Sequence, residues 1–373
     1  MEVRRSSIVE NYRRIEAAAG EGARVLPMVK ADGYGLGAIQ LCRLLSDLGP
    51  AAFGVAAVSA GVALREGGVT ERIIVFTPLA PNDESVAAAA NLEVVISDVD
   101  ALERASAAGL DFHLELNTGM GRAGWSVTGL SEAQAKATRR LADRLKSAPG
   151  WKGVFTHFHS ADVAGAPEVG LQMDRFADAL QVLGPRPGME LHVANSAGAL
   201  IPGVAARLAQ MAARVGGTVL VRPGIHLYGG GAGPELPAAN PVVSLRARVV
   251  RVVDVEPGET LGYGIEYQAQ GPERWATLAV GYGDGVSRRL FPGGEVLIAG
   301  HRVPVIGRVS MDMTVANISG LDGVRSGDVA TLIGRDGDQE ITIDDMARMT
   351  GTISWEVLTG LTPRLPRIWE GGE

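Results

Sequence analysis

The stretch Arg24-Val25-Leu26-Pro27-Met28-Val29-Lys30-Ala31-Asp32-Gly33-Tyr34-Gly35-Leu36-Gly37 decides between two folds. Residues 24–30 form an apolar run ending in a lysine, the pattern of a strand buried on both faces of a parallel sheet. Gly33 through Ala38 then nominally matches the glycine fingerprint of a doubly wound, dinucleotide-binding sheet. That fingerprint expects an acidic residue at the end of the second strand. The second apolar run, 52–57, ends instead in Ala56-Ala57-Val58. Counting outward favours a closed barrel. Similar runs recur at 72–77, 93–97, 111–117, 152–157, 190–194 and 218–222, with Ala/Leu/Arg-rich helical stretches between them. Eight strands, each followed by a helix or turn, make a (β/α)8 TIM-type barrel, an α/β fold. Ser7 with Glu10 fits a capping box opening the first helix, and Gly20 fits its end.

The chain has 373 residues, too many for one compact domain of about 150. The barrel pattern fills 1–235. Beyond 236 the texture becomes β-rich, with strands expected at 242–255, 275–280, 294–298, 303–318 and 328–333 and one helix at 343–349. A C-terminal, mostly β domain over 236–373 is therefore expected, with Pro234, Pro237 and Pro241 marking the junction. Residues 2–5 are compatible with a strand returning to that domain. Hydrophobic residues at 46% and charged residues at 21% describe an ordinary globular chain. A net charge of −7 argues against nucleic acid as a partner. The single cysteine, Cys42, excludes an internal disulfide framework and a cysteine-based metal cluster, and suits a reducing, cytoplasmic setting. No run of about 18 apolar residues offers a membrane span, and the charged start does not read as a signal peptide. Glycine is abundant, 50 residues, and scattered. That fits many turns, or backbone brought close to a ligand.

Barrel chemistry gathers at the C-terminal strand ends. The first strand ends in Lys30. The fifth ends in Asn117, before Thr118-Gly119-Met120-Gly121-Arg122. The sixth ends in His157. The seventh carries His192 and leads to Asn195-Ser196, and the eighth ends in Arg222 before Pro223-Gly224-Ile225. Each has an ordinary alternative: a solvated strand-end charge for Lys30, core histidines, a plain glycine turn. Together they suggest more. A lysine after Leu26-Pro27-Met28-Val29 begins in low dielectric, which favours the neutral, nucleophilic amine. Ser196 and Gly224-Ile225 fit a phosphate cradle after the seventh and eighth strands, next to the first once the barrel closes. A lysine imine beside a phosphate points to pyridoxal 5′-phosphate (PLP).

Eight motifs, in order along nearly the whole chain, resemble the alanine racemase family: Val29-Lys30-Ala31-Asp32-Gly33-Tyr34-Gly35, Asn117-Thr118-Gly119-Met120-Gly121-Arg122, Thr156-His157-Phe158, His192-Val193-Ala194-Asn195-Ser196, Arg222-Pro223-Gly224-Ile225, Gly262-Tyr263-Gly264, Gly281-Tyr282-Gly283-Asp284-Gly285 and Gly307-Arg308-Val309-Ser310-Met311-Asp312. The resemblance implies a barrel followed by a β domain. It implies Lys30 and Tyr263 as catalytic bases on opposite faces of PLP. It also implies a homodimer in which the partner subunit supplies Tyr263, and a role in making D-alanine for peptidoglycan. Tyr34, His157, His192, Asn195, Ser196, Arg222, Gly224, Ile225 and Trp355 would hold the cofactor. Arg222 would face its pyridine nitrogen. Arg122, Met311, Asp312 and Tyr282 would meet the substrate, with Glu115 and Asn117 in support. No metal is implied.

The chain departs from the family pattern at two informative places. Many members have a carbamylated lysine where this chain has Glu115. Strand alternation puts His113, Glu115 and Asn117 on one face, so Glu115 is expected to supply directly the carboxylate that orients Arg122. Trp355 stands where a tyrosine is usual, which keeps serine or broad-specificity racemisation open. A decarboxylase of the same fold type would be expected to place a cysteine near the substrate from the second domain, whereas Cys42 follows the first strand. A non-enzymatic PLP carrier would lack the second domain and Tyr263.

Overall fold

The computed structural model describes residues 1–129 and 131–370. All eight expected runs form barrel strands: Ala23–Val25, Phe53–Val55, Ile73–Pro78, Glu93–Ile96, Phe112–Asn117, Trp151–Phe155, Glu190–His192 and Thr218–Val221. The first strand lies beside the eighth, and the order then descends to the second. Every neighbouring pair is parallel. The ring closes between the first and second strands through a parallel bridge, Met28 to Gly54. There Ala51 N–H donates to Val25 O at 2.8 Å and Gly54 N–H to Pro27 O at 2.9 Å.

The first strand is shorter than its apolar run. Regular pairing stops at Val25, because Pro27 has no N–H for a ladder. Lys30 opens a left-handed turn instead, with φ of 53° at Ala31, 52° at Asp32, 63° at Gly33 and 56° at Tyr34. Such backbone costs an L-residue on the order of 1–2 kcal/mol, so its surroundings must hold it. Asp32 Oδ1 accepts from Ala38 N–H at 2.8 Å. From the far end of the chain, Arg367 donates twice to Gly35 O, at 2.9 and 3.1 Å. A Cβ at Gly35 would lie 2.7 Å from Leu358 O, so only glycine admits this approach.

The expected capping box does not form. The strand Glu2–Arg4 runs directly into the helix Arg5–Ala19, which leaves Ser7 inside it and buried. Gly20 does close that helix, at φ 79°.

The second sheet has nine strands in the order Gln339–Ile341, Val329–Asp336, Glu295–Ile298, His301–Ile306, Thr314–Asn317, Glu273–Leu278, Val243–Val255, Glu2–Arg4 and Ile368–Glu370. Val243–Val255 also pairs with Val329–Asp336. The run read as one strand over 303–318 is two, separated by a loop at 307–313. Glu2–Arg4 lies antiparallel to Val243–Ser244 and parallel to the final strand, so both ends of the chain meet here. The expected helix is Ile343–Thr350, capped by Thr342 and Asp345. A second helix, Ser354–Gly360, was not foreseen; it carries Trp355 and packs on the Lys30 turn. One continuous apolar core joins the barrel to this sheet. Among the described residues no helix is long and apolar enough to cross a membrane.

Candidate active site

Arg222 is the electrostatic centre of the barrel. It is buried, and its guanidinium is held by four acceptors. Nη1 donates to His192 O at 2.6 Å and lies 3.1 Å from His192 Nδ1. Nη2 donates to Thr156 O at 2.9 Å and lies 3.1 Å from His157 Nδ1. Those contacts use the four Nη hydrogens, and among the described residues the Nε–H is left uncommitted. Phe76 and Phe155 flank the guanidinium, with ring centres 5.4 and 5.1 Å away. Burial, countered by Glu115 and reinforced by Arg122, lowers Arg222 to about 9, so it remains charged at neutral pH. Burial, with Arg222, Arg122 and Lys30 around it, lowers His157 to about 3. Lys30 itself is lowered by burial and by Arg122 and Arg222. The structure thus brings Lys30, Arg122, His157 and Arg222 into one electrostatic neighbourhood that favours a neutral amine.

A cradle sits where the first, seventh and eighth strands meet. Ser196 Oγ accepts from Gly224 N–H at 2.9 Å and from His226 N–H at 3.4 Å, which leaves its own hydrogen to donate. Asn195 caps the short helix Ser196–Leu200 by accepting from Gly198 N–H at 2.9 Å. Gly224 gives way to Tyr34: a Cβ there would lie 2.1 Å from Tyr34 Oη. Tyr34 packs on Tyr228 with ring centres 4.6 Å apart. Tyr228 is fixed in turn by its hydrogen bond to Met28 O at 2.7 Å. Hydroxyl donors therefore converge on backbone bare of side chain, an arrangement suited to a phosphate. Together with the amine of Lys30 and the free Nε–H of Arg222, the donor set fits PLP.

On the fifth strand Glu115 is buried. Burial raises its pKa against the pull of Arg122 and Arg222, and Ser97 Oγ donates to it at 3.5 Å. Asn117 Oδ1 accepts from the N–H groups of Gly119 and Gly121, both at 3.0 Å, and so builds the turn that carries Arg122. A Cβ at Gly124 would meet Asn117 N at 2.8 Å and Glu115 Cγ at 2.9 Å, so the Arg122 loop folds tightly back over this strand.

The remaining expected residues form a second group on the β domain. Tyr263, Tyr282 and Met311 are exposed in the single chain, Tyr263 at 71%. Tyr282 N–H donates to Ser310 O at 3.0 Å and Gly283 N–H to Met311 O at 2.8 Å. Asp312 is paired with Arg364 at 2.7 Å. Gly262 and Gly264, on either side of Tyr263, lie against Arg308, which is paired with Glu266. Trp355 is half-buried on the helix against the Lys30 turn. No local motif marks Arg72, Glu93 or Glu190 in the sequence, and strand alternation marks only the face of His113. Nor does it foresee His226, which is buried with neither ring nitrogen paired.

Two family models cover the chain. Residues 3–232 match the alanine racemase N-terminal domain and residues 242–369 the alanine racemase C-terminal domain. The chain belongs to the alanine racemase family. It is 34% identical to the alanine racemase of Geobacillus kaustophilus, over 99% of this chain and 94% of that protein. It is 35% identical to that of Cutibacterium acnes, over 98% and 96%. The solved alanine racemase of Streptomyces coelicolor superposes with a TM-score of 0.88 at 30% identity, covering 100% of this chain and 97% of that one. The biosynthetic alanine racemase of Pseudomonas aeruginosa does so at 0.85 and 30%, covering 99% and 98%. The protein is thus an amino-acid racemase, an isomerase, by family.

Proposed function

We propose that the protein interconverts L- and D-alanine with PLP, by a two-base mechanism, as a cytoplasmic homodimer that supplies D-alanine for peptidoglycan. The observation that carries this reading is the union, at one barrel rim, of a lysine held toward its neutral form with an arginine anchored through both Nη groups and a hydroxyl-lined cradle. The barrel over 1–235 would bind the cofactor, and the β domain over 236–373 would complete the site.

Ser196, Tyr34, Gly224 and Ile225 would hold the phosphate, with Asn195 shaping the cradle and Trp355 bounding it. Arg222 would offer its Nε–H to the pyridine nitrogen. As an obligate donor it would leave that nitrogen unprotonated, and His157 and His192 keep its orientation. PLP, when bound, supplies the electron withdrawal that makes a substrate α-hydrogen acidic. Lys30 Nζ would take or return that hydrogen on one face and Tyr263 Oη on the other. The exposure of Tyr263 with Ile265, Tyr282, Met311 and Met313 supports a dimer in which the partner subunit's β domain covers the barrel mouth. Arg122 and Met311, with Tyr282 and Asp312 alongside, would hold the substrate carboxylate. Glu115, through its charge, and Asn117, through the turn it caps, would position Arg122.

The test is direct. The purified protein should show the visible absorbance of lysine-bound PLP, absent in Lys30→Ala, and should racemise L-alanine. No band and no racemisation would overturn the reading. A panel including serine tests the breadth that Trp355 leaves open.

A further inference from the structure

A line of side chains crosses the barrel from Arg222 toward its N-terminal mouth. His192 Nδ1 faces Arg222 Nη1 at 3.1 Å, and His192 Nε2 faces His113 Nδ1 at 2.9 Å. His113 Nε2 lies 3.0 Å from Glu93 Oε2. Arg72 then grips Glu93 at 2.6 and 2.8 Å and Glu190 at 2.6 and 2.9 Å. His113 and His192 are completely buried. Phe155 stacks on His192 at 4.8 Å and Phe76 meets its edge at 5.9 Å, so the ring has little freedom to turn. A Cβ at Gly153 would lie 2.3 Å from His113 Nδ1, so a bare position on the neighbouring strand admits that ring.

Donor counting assigns every hydrogen along the line. An arginine only donates, so His192 Nδ1 must accept and its hydrogen sits on Nε2. That hydrogen points at His113 Nδ1, which must accept as well. The hydrogen of His113 is then on Nε2, aimed at a carboxylate. An imidazolium at either position would set two hydrogens against each other, so both rings are neutral. Glu93, Glu190 and His113 present ligand atoms within 4.8 Å of one another, but the guanidinium of Arg72 already lies between the two carboxylates. This group anchors the chain rather than waiting for a metal.

We infer that Glu93 and His113 are positioning residues for Arg222: the Glu93 carboxylate fixes the tautomers of His113 and His192, so that Arg222 always meets a ring lone pair and never a ring hydrogen. The functional part of this inference rests on the proposed reading of Arg222 as the residue facing the cofactor. If the line were broken, a hydrogen on His192 Nδ1 would oppose Arg222 Nη1–H. The guanidinium would then shift, and its Nε–H with it.

Histidine-selective ¹⁵N labelling of the full-length protein reads the tautomers by NMR, with or without PLP. His113 and His192 should both show neutral Nε2–H signatures at neutral pH. An Nδ1–H or cationic ring at either position would overturn the inference, whether or not the protein racemises alanine. Two substitutions test the consequence. In His113→Gln the amide oxygen can still accept from His192 and the amide N–H can still reach Glu93. In His113→Leu neither is possible. His113→Leu should lower kcat per cofactor-loaded site on the order of tenfold, the scale of lost orienting contacts, with KM for alanine little changed. His113→Gln should lose clearly less and keep the His192 tautomer. Equal losses in the two variants, or a His192 tautomer unmoved in His113→Leu, would refute the positioning role.

Discussion

Replacing Gly224 by alanine tests the cradle with one methyl group. The new Cβ would stand 2.1 Å from Tyr34 Oη, where unstrained contact needs about 3.5 Å. Tyr34 would have to retreat by roughly 1.4 Å, the difference. It cannot do so freely, because its ring lies 4.6 Å from Tyr228 and Tyr228 is tied to Met28 O. Overpacking of this kind costs about 1–3 kcal/mol, a Tm decrease of roughly 1–4 °C for a protein of this size. If the displaced hydroxyl also loses its bond to a phosphate, about 1.5–3 kcal/mol of charge-assisted hydrogen bonding goes with it. That is a cofactor affinity lower by roughly 10- to 150-fold. Thermal melting of the PLP-free protein and titration of the visible PLP band read the two effects separately. The double variant Tyr34→Phe/Gly224→Ala should recover part of the Tm without recovering affinity, since the nearest clashing atom is gone while the ring Cζ, 2.9 Å from the new Cβ, remains. A wild-type Tm and affinity in Gly224→Ala, or a double variant no more stable than the single, would refute the assignment.

Three further outcomes are expected. Glu115→Gln keeps the shape and removes the charge facing Arg122 and Arg222, so kcat/KM for alanine should fall on the order of tenfold, about 1.4 kcal/mol; unchanged KM and kcat would end the proposed role of Glu115. Tyr263→Phe should slow α-hydrogen exchange from one alanine enantiomer more than from the other, and an equal loss for both would argue against bases on opposite faces. His226 is lowered by burial, and by Arg14, from 6.5 to about 4. The unfolded chain therefore binds a proton in that interval that the folded chain does not, and this group's contribution lowers stability as pH falls from about 6.5 toward about 4. His226→Leu removes that liability, so its Tm advantage over the wild type should widen across the same interval; a constant gap would show that His226 does not titrate there.

The eight barrel strands were legible because a buried parallel strand announces itself locally, as a short apolar run needing no knowledge of its partners. The same holds for the order of the rim residues, since Lys30, Asn117, His157, Ser196 and Arg222 each follow such a run. Glu115 and His113 were placed on one face by alternation alone. The sequence therefore determined the barrel, the β-rich second half and the identity of most rim groups. Geometry that depends on closure was not legible. The apolar run before Lys30 looks like continuous strand, yet Pro27 ends the pairing and a left-handed turn presents the lysine. Residues 307–313 interrupt what hydropathy alone reads as a single strand. The helix Ser354–Gly360 is short and gains its place by packing on the Lys30 turn, not from a strong period of its own. The line from Arg222 to Arg72 joins residues as far apart as Arg72 and Glu190, separated by 118 positions. Only the tertiary structure decided those partners, because closing the barrel turns side chains of strands that are not neighbours, here the third and the seventh, into one interior, whatever their distance along the chain.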